Sequence, residues 1–124
     1  MVKKELTKAE LLVMKCIWDT PKEMVLSEIV AMVNERYNKD WKPQTVSTYI
    51  AHLVMKDFLK MHKNGRTYTY EVLVPEKQYR TQAFEDFKEF WGINSIVDFL
   101  SAYCERNEVT EEEYGNLKAL IDSI

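Results

Sequence analysis

WKPQTVSTYIAHLVMKDF, from Trp41 to Phe58, runs directly into LKMHKNGRTYTY, from Leu59 to Tyr70. The first stretch predicts a helix opening at Pro43, where the missing N–H of proline leaves no intrahelical bond unmade. Val46, Ile50 and Leu53 fall at i, i+4 and i+7 and should face a core. Gln44, Thr48, Ala51 and Met55 then lie near the opposite side, flanked by Thr45, Ser47 and His52. The helix should stop at about Lys56, with Asp57 as a left-handed C′ residue in place of glycine. Phe58 to His62 and Thr67 to Val74 read as two strands joined through Asn64-Gly65, a pair that tolerates positive φ in a two-residue turn. Tyr68, Tyr70 and Val72 share one strand face; Thr67, Thr69, Glu71 and Leu73 share the other. A helix with one small-polar face running into a basic hairpin is the pattern of a winged helix-turn-helix.

The rest of the chain is helical in pattern. Thr7 with Glu10 three residues later forms a capping box, and Leu6 and Leu11 are spaced for a hydrophobic staple. The helix they open should run from about Lys8 to Trp18, with Leu11, Leu12, Met14, Ile17 and Trp18 making it apolar around most of its girth. A second helix is expected over Leu26 to Tyr37, with Ile29, Val30, Val33 and Tyr37 inward. Beyond Pro75 come Tyr79, Ala83, Phe87, Phe90 and Trp91, a break at Gly92, then Ile96, Val97, Phe99, Leu100 and Tyr103. Thr110 and Glu113 form a second capping box ahead of Tyr114, Leu117, Leu120, Ile121 and Ile124. The expected class is mostly α (α+β): a winged-helix domain over residues 1–75 and a small helical domain over residues 76–124. The latter is too short to bury its many apolar residues alone. A second copy is the simplest cover, through Phe87, Phe90, Trp91, Ile96, Val97, Leu100, Leu117, Leu120 and Ile121.

Charge divides along the same line. The chain of 124 residues has a net charge of −3. Residues 1–75 hold 12 Lys/Arg against 9 Asp/Glu, and residues 76–124 hold 5 against 11. The basic half suits a polyanion and the acidic half does not. Within the basic half, Gln44 can pair with adenine, while Thr45, Ser47 and Thr48 carry short hydroxyls that approach bases or phosphates closely. His52 can donate to guanine or phosphate. Lys42, Lys60, Lys63 and Arg66 are candidates for backbone contact, the last three from the hairpin.

Other chemistries find little support. His52 and His62 have no cysteine or carboxylate cluster at metal-ligand spacing, so no metal and no cofactor is expected. The three glycines stand apart and make no phosphate loop. No local nucleophile–base pattern suggests catalysis, and Glu111-Glu112-Glu113 reads as an acidic helix start favoured by the dipole. Cys16 reads as a buried small hydrophobe, and Cys104 as a thiol near a helix end. The opening MVKKELTKAE lacks the apolar core of a signal peptide, and no apolar run reaches the ~20 residues of a membrane helix. A cytoplasmic protein without membrane insertion is expected.

These residues together resemble the BlaI/MecI/CopY family of bacterial transcriptional repressors. The resemblance rests on Leu6-Thr7 with Glu10, Val13-Met14, Ile17-Trp18, Glu28-Ile29, Trp41, Pro43, Thr45-Val46, Thr48, Leu53, Lys56 and Phe58. It continues through Gly65-Arg66, Tyr68 and Tyr70, then Asn94-Ser95-Ile96-Val97 and the Thr110–Leu120 helix. It implies a winged-helix DNA-binding domain, a helical dimerisation domain, a two-fold operator and repression of resistance or stress genes. In the β-lactam branch it also implies a membrane sensor metalloprotease as the partner that releases the repressor by cutting it. The chain departs from the pattern in three places. Ser47 and His52 stand where those repressors often have arginine. Asp98-Phe99 stands where the β-lactam branch is cut at Asn-Phe. Cys104 alone stands where the copper branch has paired cysteines, so copper sensing is not expected.

The function expected is therefore a homodimeric, sequence-specific repressor on a palindromic DNA operator. The rival is a protein-interaction module that keeps the winged-helix shape without binding DNA. A direct ligand or thiol sensor, motivated by Cys104 alone, is a third reading.

Overall fold

The computed structural model describes residues 5–124; the first four residues of the opening segment, included in the signal-peptide reading, lie outside them. Six helices and one hairpin follow in order: α1 Lys8–Trp18, α2 Leu26–Tyr37, α3 Pro43–Met55, β1 Leu59–Asn64, β2 Thr67–Val72, α4 Glu76–Trp91, α5 Ile96–Arg106 and α6 Glu111–Ser123. Local chemistry sets most of the helix ends. Thr7 Oγ1 accepts the Glu10 N–H at 3.2 Å while Glu10 Oε1 accepts the Thr7 N–H at 3.0 Å, closing the expected capping box. Pro43 stands at the start of α3, after Lys42 as N-cap. Asn38 and Asp57 take left-handed φ of 54° and 61° behind α2 and α3, the short polar side chains that best tolerate it. At α6 the expected box forms in one direction only. Thr110 Oγ1 accepts the Glu113 N–H at 3.1 Å, but the Glu113 carboxylate meets the Thr110 hydroxyl instead of its backbone N–H.

The core lies where α1, α2 and α3 converge under the base of the hairpin. Val13, Met14, Cys16, Ile29, Val33, Val46, Ile50, Leu53 and Leu59 are fully buried, with Ile17, Met24, Phe58 and Tyr70 nearly so. Each large aliphatic among them stabilises the fold by about 1.5–3 kcal/mol. Leu6, Trp18, Val30 and Tyr37 pack against this core half-buried. Cys16 is the buried hydrophobe expected of it, and burial pushes its thiol above the ordinary value.

The hairpin is antiparallel with Asn64 opposite Thr67, so its two turn residues are Gly65 and Arg66, one position later than expected. Gly65 alone of the two has positive φ, at 65°, which fits the hairpin turn that needs glycine at its first central position. Asn64 joins the strand instead: its Nδ2 donates to Thr69 Oγ1 at 2.9 Å, and its carbonyl accepts the Thr67 hydroxyl at 3.0 Å.

The chain separates into two compact units, one ending at Thr81 and the other covering Gln82–Ile124. The division falls inside α4 instead of at Pro75. Tyr79 explains why: its ring sits 5.5 Å from that of Trp18 and 5.6 Å from that of Phe58, so the first turn of α4 belongs to the first core. Trp18 Nε1 donates to the Val74 carbonyl at 2.9 Å, and Lys15 bridges Asp19 and Glu76. In the second unit no helical residue is buried. Phe87 packs edge-on against Phe99, yet Phe90, Trp91, Ile96, Val97, Leu120 and Ile121 are each more than half exposed.

Candidate nucleic-acid interface

The third helix is held from both sides. Before it, the Asn34 side chain makes two hydrogen bonds to the Trp41 backbone, at 3.0 and 2.9 Å, and the Trp41 ring meets that of Tyr49 edge-on at 5.1 Å. Along it, Val46, Ile50 and Leu53 are locked into the core. These anchors settle which face points out. Lys42, Gln44, Ser47, Thr48 and His52 are exposed, and Thr45 is half-buried. Gln44 and Thr45 lie in the first turn, where helix N–H groups lack intrahelical partners and favour an anion. The Thr48 O–H is already committed: it donates to the Gln44 carbonyl at 3.0 Å, leaving the methyl and the acceptor lone pairs of its oxygen for a ligand.

His52 is engaged from behind. Its Nδ1 lies 3.1 Å from Glu10 Oε2, and Lys56 Nζ lies 2.6 Å from Glu10 Oε1. Glu10 is 3% exposed, the one buried charged residue among the described residues. Burial alone pushes its carboxyl up. The hydrogen bonds from Lys56 and the Thr7 N–H, the Lys56 charge and the His52 contact outweigh that and hold it below the ordinary value. One carboxylate thus ties α1 to two residues at the end of α3. The capping-box pattern accounts for only part of this role. A signal was present, because Glu10 falls on the same helical stripe as Val13, Met14 and Ile17, where a carboxylate needs partners.

The hairpin does not gather its cations on one side. Lys60 and Lys63 are exposed, but an odd spacing along a strand sends them to opposite faces. Lys60 stands opposite Glu71 and Lys63 opposite Tyr68. The Glu71 carboxylate lies 2.7 Å from His62 Nε2. Arg66, in the turn itself, is exposed at the tip of the hairpin. Among the described residues no group of three or more His, Cys, Asp or Glu could hold a metal ion, and no helix is long and apolar enough to cross a membrane.

A family model described as penicillinase repressor matches residues 6–123. The chain belongs to the penicillinase repressor family. The family is one of repressors, not of enzymes. Among its relatives, the methicillin resistance regulatory protein MecI of Staphylococcus aureus is 27% identical, across 95% of this chain and 94% of that one. The solution structure of the DNA-binding domain of the repressor BlaI is 31% identical and superposes with a TM-score of 0.53, covering 63% of this chain and 94% of that one. The monomeric form of BlaI from Bacillus licheniformis, solved in complex with the blaP half-operator, is 30% identical with a TM-score of 0.50, covering 61% and 89%. The winged-helix reading of the first unit therefore holds for this member of the penicillinase repressor family.

Proposed function

We propose that this chain is a cytoplasmic transcriptional repressor that binds, as a homodimer, a palindromic DNA operator controlling β-lactam-resistance or stress genes. The observation that carries the reading is the exposed polar face of α3, aimed outward by Val46, Ile50 and Leu53 beside a basic hairpin. A related chain of the same family has been solved on a half-operator. In this reading α3 enters the major groove, Gln44, Thr45, Ser47, Thr48 and His52 carry specificity, and Lys42, Lys60, Lys63 and Arg66 carry affinity through phosphates.

The exposed apolar residues of α4, α5 and α6 support the second copy. Phe87, Phe90, Trp91, Ile96, Val97, Leu100, Leu117, Leu120 and Ile121 form the proposed dimer interface; all but the half-buried Leu100 and Leu117 are exposed, and none is fully buried in the second unit. Two tethered heads then bind two half-sites about one helical turn, or a multiple, apart, with an avidity that one head lacks. A membrane sensor metalloprotease is the partner proposed for release, although Asp98-Phe99 replaces the Asn-Phe bond at which the β-lactam branch is cut.

The test is selection of DNA from a random pool by the full-length protein, followed by titration of the winning duplex at several salt concentrations. A palindromic winner bound by dimers, with affinity falling steeply as salt rises, is the expected outcome. No enrichment over random DNA would overturn the reading in favour of a protein-interaction module.

A further inference from the structure

We propose that Glu10 is a positioning residue that makes DNA binding by this chain proton-linked: it holds the Nδ1–H of His52, so that the outer Nε2 can donate to an acceptor on DNA only when the imidazole is charged. The inference rests on the DNA-binding reading above and adds to it a residue buried within the core.

The geometry assigns the proton. Glu10 Oε1 already accepts from Lys56 Nζ at 2.6 Å and from the Thr7 N–H at 3.0 Å. Oε2 is left facing His52 Nδ1 at 3.1 Å. An ionised carboxylate can only accept, so Nδ1 is the donor. A neutral ring with its hydrogen on Nδ1 has a bare lone pair at Nε2. His52 stands on the exposed side of α3 with its side chain 46% exposed, so its outer edge is the part that meets a ligand. Phosphate oxygens and the O6 and N7 of guanine are acceptors and repel a lone pair. A proton on Nε2 turns that repulsion into a charge-assisted hydrogen bond.

The surroundings favour the charged ring once DNA is present. From α1 the ring faces the Glu10 carboxylate. From its own helix, Lys56 lies on the other oxygen of that carboxylate and also donates to the Glu5 carbonyl at 2.8 Å. Lys56 partly offsets the inner negative charge, and DNA supplies a second one at the outer edge. Donation from that outer edge needs a proton on Nε2, because Nδ1–H is already held by Glu10. By linkage, binding that takes up a proton weakens as protons become scarce.

Titration of the selected duplex with the full-length protein, at fixed ionic strength from pH 6 to pH 8, tests this within the range where histidine titrates. The expected result is affinity about tenfold weaker at pH 8 than at pH 6. His52→Gln should flatten the profile, and His62→Gln, which removes the imidazole paired with Glu71, should keep it. Glu10→Gln should also flatten it, because an amide can donate to Nδ1 and let a neutral ring carry its hydrogen on Nε2. A loss of packing alone would not remove the pH dependence. If Glu10→Gln does not fold, the two histidine variants decide the matter. A flat profile in the unmodified protein, a slope that survives His52→Gln, or a slope lost in His62→Gln overturns the inference. Absence of DNA binding at every pH would instead sink the DNA-binding reading. A slope shared by an unselected duplex assigns the acceptor to phosphate, and one confined to the selected duplex assigns it to a guanine edge.

Discussion

The side-chain amide of Asn34 pairs with Trp41 as a neighbouring strand would, donating from Nδ2 to its carbonyl at 3.0 Å and accepting its N–H at 2.9 Å. This one residue ties the end of α2 to the approach of α3, just ahead of the Lys42 N-cap. Asn34→Ala leaves two backbone groups of Trp41 without partners and should destabilise the first unit by about 1–3 kcal/mol. Asn34→Asp keeps the acceptor but loses the donor, and should fall between. Urea unfolding of the three proteins gives the order, and an alanine variant as stable as the parent would contradict the role.

Acid should weaken this fold partly through Glu10. Its carboxyl is held below the ordinary 4.5, so as pH falls the unfolded chain binds the proton first. The contribution is therefore fully present above about 4.5 and is lost as pH falls through the depressed folded value. Asp19 and Glu28 are also held low, by Lys15 with Arg36 and by the Val25 N–H with Lys22, so total acid sensitivity is shared. The part owed to Glu10 is the difference between the parent and Glu10→Gln. That difference should be largest near pH 6 and shrink towards pH 3 in unfolding experiments; a constant gap would show the carboxylate charge to be irrelevant.

Arg66 lies in the turn of the hairpin, and its proposed partner is the DNA backbone. Arg66→Ala should weaken binding to every sequence alike and reduce the slope of log affinity against log salt by about 1. A defect restricted to one base position would mean that the guanidinium reads sequence.

The second unit should determine oligomeric state. Leu120 and Ile121 are 59% and 63% exposed, so replacing both with glutamate leaves little protomer packing to disturb. Sedimentation should then report monomers, with operator binding greatly reduced through lost avidity. Dimers of undiminished stability would place the interface elsewhere.

Gly65 has φ of 65° with open space around its missing Cβ. Gly65→Ala therefore meets no clash with its surroundings, and its cost is that of the backbone alone, about 1–2 kcal/mol. The loss should appear in thermal unfolding of the first unit.

Much of this architecture was legible because its signals are local. Thr7 with Glu10, Pro43, and the spacing of Val46, Ile50 and Leu53 act within one or two helical turns, and α1, α2 and α3 lie where they place them. The hairpin turn was off by one because Asn64-Gly65 and Gly65-Arg66 both satisfy the glycine requirement. Bonds from Asn64 to Thr67 and Thr69 across the ribbon favour the second. The second role of Glu10 was hidden for a different reason: its partners His52 and Lys56 lie 42 and 46 residues away. Tyr79 likewise belongs by periodicity to α4, but by packing to Trp18 and Phe58.

The three tryptophans stand in three different settings. Trp18 is bonded to the Val74 carbonyl, Trp41 lies edge-on to Tyr49, and Trp91 is 64% exposed in the second unit. The chain therefore carries its own optical reporters. The Trp91 indole, open to water, should emit at longer wavelength and be readily quenched by iodide, whereas the other two are shielded. Covering Trp91 with a second copy should shift its emission to the blue and protect it. With Trp18 and Trp41 replaced by phenylalanine, assembly of the second unit can be followed by fluorescence without attaching a dye.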